Sequence, residues 1–247
     1  MSGCDHRHLL VVGAQRCGTT YLSRALDAHP DVTMARPSPP EPKVFCDATL
    51  SARGAESYHR TWFAHARDET LLGDKSTSYL EDPEAPARAA AVLGSPHVLV
   101  VLRDPVKRAI SNWRFSTENG LEQRPLEQAI EENLTSSTAW DRSLTSVSPF
   151  AYLERGRYVD YLAPWADTFP DTTHVVFLDE LIEDEDAVAD LWRSLGVARV
   201  PGRLETSANE SDGPPPASTG ELWGRVRAYF ASSDRDLSAR LGRDLPW

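Results

Sequence analysis

The sequence predicts an α/β protein with a central parallel sheet flanked by helices. Three observations carry that reading: short runs that are wholly apolar, segments of helical period between them, and turn or capping chemistry at the junctions. Leu9-Leu10-Val11-Val12 is the first such run, and a strand covered on both faces shows this continuous pattern rather than alternation. A glycine-containing turn follows, and Thr20 to Leu26 then has helical spacing that stops ahead of His29-Pro30. Val98 to Leu102 is a second apolar run. It leads into Arg103-Asp104-Pro105, where Asp104 suits an N-cap and Pro105 the first helical position, with the helix continuing through Ile110 and Trp113. His174 to Leu178 is a third strand, followed by an acidic helix around Asp184 to Leu195. Glu221 to Leu241 is the last helical segment.

Pro37-Ser38-Pro39-Pro40-Glu41-Pro42 and Asp212-Gly213-Pro214-Pro215-Pro216 interrupt the pattern and are expected as loops, because proline fixes φ and offers no N–H. The regular pattern resumes directly after each, so neither reads as a linker. No internal repeat is visible, and residues 1–247 are expected to form one domain.

The chain has 26 Lys and Arg against 37 Asp and Glu among 247 residues, a net charge of −11. That balance argues against a general nucleic-acid binder and against a long polyanion as partner. Any anion handled here is expected to be small and held at one site. Cys4, Cys17 and Cys46 have no motif spacing, so no disulfide framework or metal cluster is expected. His59 and His65 are six apart, which is not the spacing of a helical metal pair. No run approaches the roughly 18 apolar residues of a membrane span. A cytoplasmic protein with reduced thiols is expected, with no metal.

Between the first strand and first helix lies Gly13-Ala14-Gln15-Arg16-Cys17-Gly18-Thr19-Thr20. A strand–loop–helix junction of this kind offers helix N-terminal N–H groups to an anion. The loop nearly fits the Walker A pattern, but Thr19 stands where that pattern has lysine, and the cation, Arg16, lies inside the loop. A plain tight connection is the competing reading of the loop by itself.

This loop, with Val11-Val12 before it and Leu22, Leu26 and His29-Pro30 after it, resembles the 5′-phosphosulfate loop of the sulfotransferases that use 3′-phosphoadenosine 5′-phosphosulfate (PAPS). The nearest likeness is to the heparan sulfate branch and its bacterial relatives. Three further blocks occur in that family's order: Glu41-Pro42-Lys43-Val44-Phe45, Asp74-Lys75-Ser76-Thr77-Ser78-Tyr79, and Leu102-Arg103-Asp104-Pro105 through Ser111. A closing segment, Leu241 to Trp247, extends the likeness along nearly the whole chain.

The resemblance implies a P-loop-like sulfotransferase fold and an O-sulfotransferase that releases 3′,5′-ADP (PAP). It implies that Gln15, Arg16, Cys17, Gly18, Thr19 and Thr20 hold the 5′-phosphate, with Arg16 at the usual lysine position. It further implies that Arg103 and Ser111 hold the 3′-phosphate, that Glu41 acts as catalytic base, and that Lys75, near the transferred group, and Arg16 stabilise the departing phosphate. Two departures stand out. Lys43 replaces a frequent histidine, and Asn209 to Pro216, where relatives have a basic C-terminal loop, contains no Lys or Arg. Lys107 and Arg108 are expected as solvated helix charges, and Trp140, Phe150, Tyr152 and Tyr158 as core or as acceptor contacts. The expected acceptor is a hydroxyl of a small molecule, glycoside or secondary metabolite, with amines left open, since the net charge disfavours a long basic cleft. A small-molecule kinase and an inactive nucleotide-binding module are the alternatives. The first would need the missing Walker lysine and a magnesium carboxylate.

Overall fold

The computed structural model describes residues 6–141, 148–200 and 219–247. In chain order the elements are β1 (Arg7–Gly13), α1 (Thr19–Asp27), β2 (Val32–Met34), α2 (Ala48–Ser51), α3 (Gly54–Trp62), β3 (Leu71–Lys75), α4 (Ala85–Leu93), β4 (His97–Leu102), α5 (Pro105–Glu118), α6 (Leu126–Asn133), α7 (Tyr158–Thr168), β5 (Thr173–Phe177), α8 (Leu178–Glu183), α9 (Glu185–Ser194) and α10 (Glu221–Leu241). Cys4 and the Asn209–Pro216 segment lie outside the described residues. The described residues divide into two compact units, one built from 6–102 and 161–200, the other from 103–160 and 219–247.

The first unit holds a five-stranded parallel sheet in the order β2-β3-β1-β4-β5. Leu9 to Val12 and Val98 to Leu102 are fully buried, as their unbroken apolar runs require of strands covered on both faces. Because all strands run one way, β1, β3 and β4 end on the same edge. The chain places β3 on one side of β1 and then crosses to place β4 on the other. An open α/β sheet binds ligands at such a switch point, outside the strands' carboxyl ends.

The sequence pattern does not reveal β2 and β3. The first has three residues, and the second reads Leu-Leu-Gly-Asp-Lys, with only two apolar side chains. Packing completes what composition lacks. A Cβ at Gly73 would lie 2.3 Å from the Met34 sulfur, so the glycine lets β2 press its thioether against β3. Arg7, at the start of β1, donates to Leu195 O at 2.7 Å and Gly196 O at 3.0 Å. It thereby satisfies carbonyls left open at the end of α9 and places positive charge where the helix dipole favours it.

In the second unit, Asp104 caps α5 by accepting from Val106 N at 2.8 Å, with Pro105 in the first turn as its fixed φ suits. The unit's apolar cluster includes Val106, Ile110, Ile130, Tyr152, Val226 and Phe230. The helices α5, α6 and α10 all contribute to it. Arg227 of α10 grips Asp104 through two bonds, at 3.0 and 2.6 Å. Lys107 is exposed as expected. Arg108 corrects the sequence reading: it is fully buried and donates to Ala151 O at 3.2 Å and to Tyr152 O. A buried guanidinium needs such partners, and two loop carbonyls without helix or sheet bonds supply them. Tyr152 and Tyr158 are likewise core residues, with 0% and 1% exposure.

Candidate active site

The loop joining β1 to α1 is shaped by two left-handed residues, Arg16 (φ 67°) and Gly18 (φ 81°). Gly18 is required twice over, by its φ and because a Cβ there would meet Leu178 at 2.5 Å. It serves as N-cap of α1 with no side-chain capping bond, and Leu22 N returns to Gly18 O at 3.0 Å. The first-turn N–H groups of α1 therefore face the loop, the arrangement that suits a bound anion. Thr19 is buried and Thr20 half-buried, while Gln15 and Arg16 keep partial solvent contact. Cys17 is buried, with its thiol 3.8 Å from Gln15 O.

β3 borders this loop. Lys75 stands opposite Val11 in the register, and Ser76 N donates to Val11 O at 3.2 Å. Lys75 Nζ pairs with Glu41 Oε1 at 2.8 Å, with the two side chains 14% and 19% exposed. Thr77 adds its N–H to Glu41 Oε2 at 3.1 Å and its hydroxyl at 3.3 Å. Glu41 is thus not a solvated loop carboxylate, and Lys75 is not an ordinary surface lysine. The pair comes together from the long β2–α2 connection and the end of β3.

Three neighbours join this assembly, Asp74, Ser76 and Thr77, to which the family likeness gives no individual role. Asp74 is fully buried and accepts from Ser76 Oγ (2.8 Å), Tyr79 OH (2.8 Å) and Tyr58 OH (3.2 Å). Burial pushes its carboxyl up to about 6, against the opposing pull of those hydroxyls. The available signal was an unusual polar run, Asp74 to Ser78, following immediately on the apolar start of a strand. Lys43, in the same loop as Glu41, has φ 50°.

Arg103 and Ser111 belong to the second unit, Arg103 directly after β4 and Ser111 about two turns into α5, and both are half-buried. Arg103 Nε is buried with no hydrogen-bond partner among the described residues. Its main-chain carbonyl accepts from Tyr158 OH at 2.7 Å, which fixes the backbone from which the guanidinium springs.

A family model, described as "Sulfotransferase domain", matches residues 6–190. The chain belongs to this family. Across the whole chain this sulfotransferase is 27% identical to mouse heparan sulfate glucosamine 3-O-sulfotransferase 3B1, covering 67% of that protein. It spans no more than about two thirds of the length of the first curated relatives it matches. A sulfotransferase from Alicyclobacillus acidocaldarius shares the fold at TM-score 0.75 and 24% identity, with 97% of each chain covered. Mouse sulfotransferase SULT7A1, solved with PAP, shares it at TM-score 0.53 and 14% identity, over 95% of this chain and 82% of that one. The expected fold is therefore present: one parallel sheet flanked by helices, with the P-loop-like architecture of sulfotransferases.

Residues of this sulfotransferase fit phosphate groups of a nucleotide donor. In the first unit, the loop provides helix N–H groups and Arg16, which suit a phosphate; in the second, a buried Arg103 nitrogen has no hydrogen-bond partner among the described residues. Among the described residues there is no group of three or more His, Cys, Asp or Glu able to hold a metal ion. Among them, also, no helix is long and apolar enough to cross a membrane.

Proposed function

We propose that this chain transfers a sulfuryl group from PAPS to a hydroxyl of a small-molecule, glycoside or secondary-metabolite acceptor, releasing PAP. The observation that carries the reading is the Glu41–Lys75 pair at 2.8 Å, set where β3 borders the phosphate loop. PAPS, when bound, supplies the activated sulfuryl group. Gln15 to Thr20 are assigned to its 5′-phosphate, with Arg16 as the cation and Gly18, Thr19 and Thr20 as donors. Arg103 and Ser111 are assigned to the 3′-phosphate, a forked guanidinium and a hydroxyl suiting that group. A 3′-phosphate site also separates this donor from ATP, which has a bare hydroxyl there.

Glu41 is the base. One of its oxygens takes the Lys75 ammonium and the other the Thr77 N–H, which leaves lone pairs for an acceptor O–H. Once Glu41 takes up the proton, its attraction for Lys75 weakens. The ammonium is then released to balance negative charge growing on the leaving oxygen. Proton removal and charge stabilisation are coupled in one ion pair, an electrostatic contribution set before reaction begins. No metal is assigned a role in this scheme. The relatives' names point to heparan sulfate, but a net charge of −11 favours a small or weakly charged acceptor over a long polyanion.

Thermal unfolding with added nucleotide tests the donor. PAP is expected to raise the melting temperature while ATP with Mg²⁺ does not, and the reverse result would overturn the reading. Screening hydroxyl and amine compounds with radiolabelled PAPS identifies the acceptor. Glu41→Gln is expected to keep PAP binding and to lower turnover by about 10²–10⁴-fold.

A further inference from the structure

Glu41 lies on an irregular loop rich in proline, and its usefulness as a base depends on where that loop's backbone is held. Two main-chain N–H groups just beyond it are tied to hydroxyls. Lys43 N donates to Ser76 Oγ at 2.9 Å, and Phe45 N approaches Tyr79 OH at 3.5 Å. Both hydroxyls in turn donate to Asp74, Ser76 to Oδ1 and Tyr79 to Oδ2, each at 2.8 Å.

The direction of these bonds follows from the inventory of donors. An ionised carboxylate only accepts, so it draws both hydroxyl hydrogens toward itself. The lone pairs of Ser76 and Tyr79 are then turned outward, toward the backbone N–H groups of the loop. Lys43 has φ 50°, a conformation an L side chain rarely adopts, so this backbone is held by its surroundings. Lys75 and Thr77, the chain neighbours of Ser76, grip the Glu41 side chain.

We propose that Asp74 is a positioning residue for Glu41, acting through Ser76 and Tyr79 on the backbone of Lys43 and Phe45. The inference rests on the sulfotransferase reading of Glu41. Asp74 faces Tyr58 from α3, Ser76 and Tyr79 from the segment after β3, and the charge of Glu41 from the loop. Lys75 is its neighbour in the chain. Burial holds the Asp74 carboxyl near 6, so it is ionised at neutral pH and takes up a proton on mild acidification. Protonated, it offers a hydrogen where three hydroxyls already donate, and one of them must turn away.

The test is hydrogen exchange at the Lys43 amide in the nucleotide-free full chain, with amides of β1 as internal reference. Ser76→Ala is expected to speed exchange there about tenfold, the loss of one hydrogen bond, and Ser76→Thr to restore protection. Tyr58→Phe removes a different donor to Asp74 and is expected to leave Lys43 protected. In the native protein the Lys43 protection factor is expected to fall between about pH 7 and pH 5, and this pH dependence is expected to vanish in Asp74→Asn. A second arm measures PAP release from PAPS. Ser76→Ala is expected to slow it about tenfold while PAP affinity stays within about twofold of native. Unchanged Lys43 exchange in Ser76→Ala overturns the relay. Loosened exchange with undiminished PAP release overturns the positioning of Glu41. If the native chain binds no PAP, the functional reading itself fails, and the exchange arm, which uses no nucleotide, separates that failure from the other two.

Discussion

Two histidine pairs are built into the sheet unit, and they make its stability depend on pH in a way that can be isolated at His8. His8 Nε2 lies 2.7 Å from His59 Nε2, with the rings stacked at 5.0 Å. One proton serves that bond, and a second would set two N–H groups against each other and put a positive charge on a largely buried ring. Burial first, then the charges of His59 and His6, bring His8 from 6.5 down to about 4. The sign follows from proton counting. Between about pH 6.5 and pH 4 the unfolded chain binds a proton at this residue that the native chain refuses, so acid favours unfolding. The contribution is present in full above 6.5 and is lost as pH falls toward 4. At ~1.36 kcal/mol per pH unit the complete displacement corresponds to ~3 kcal/mol, and partial solvent contact reduces it to ~2 kcal/mol. Asp74 works the other way, since its raised value lets the native chain bind a proton between 3.8 and about 6. Comparison with a variant removes that opposing contribution. His8→Gln retains a hydrogen-bonding side chain without a titrating proton. Urea unfolding of both proteins from about pH 7.5 to pH 4.5 is expected to show the native chain losing ~2 kcal/mol relative to the variant. A difference that stays flat within ~0.3 kcal/mol across that range would refute the reasoning.

Gly18→Ala forces an L residue into φ 81° and drives a methyl group to within 2.5 Å of Leu178. A stability loss of ~2–4 kcal/mol in urea unfolding is expected, with weaker PAP binding. Arg108→Met leaves the Ala151 and Tyr152 carbonyls without their buried donor, and calorimetry should record a loss of ~2–4 kcal/mol. Arg103→Ala is expected to weaken PAP by at least about tenfold in calorimetric titration while changing adenosine 5′-phosphosulfate much less. Equal losses for the two ligands would remove Arg103 from the 3′-phosphate.

The parts of the fold that composition alone reveals are the strands whose burial is complete. Leu9 to Val12 and Val98 to Leu102 are apolar without interruption because helices cover both faces. The Asp104-Pro105 junction is equally legible, since capping is a local matter. β3 is hidden because its completion is not an apolar pattern: remote Met34 fills the space over Gly73, and hydroxyls from remote Tyr58 and from nearby Ser76 and Tyr79 make a buried carboxylate tolerable at 74. Arg108 misleads for a related reason. Beside Lys107 it looks solvated, yet it lies one helical turn from both Asp104 and Asn112, which are also buried. The histidine pairs escape a spacing argument altogether, because each joins two different elements: β1 with α3, and β4 with β5. Glu41 and Lys75 stand out in the sequence only through family likeness. That they meet is a property of the folded chain, which no local pattern encodes.

The placement of Glu41 has a consequence for how such a site can diversify. The proposed base sits on a detachable arm, the run between β2 and α2, while the groups that receive it are fixtures of a buried strand end. A replacement arm of different length or contour fits the same frame if it offers one carboxylate to Lys75 and Thr77 and one N–H to Ser76. The surface that the proposed acceptor meets can then be redrawn without disturbing the sheet or the β1–α1 loop.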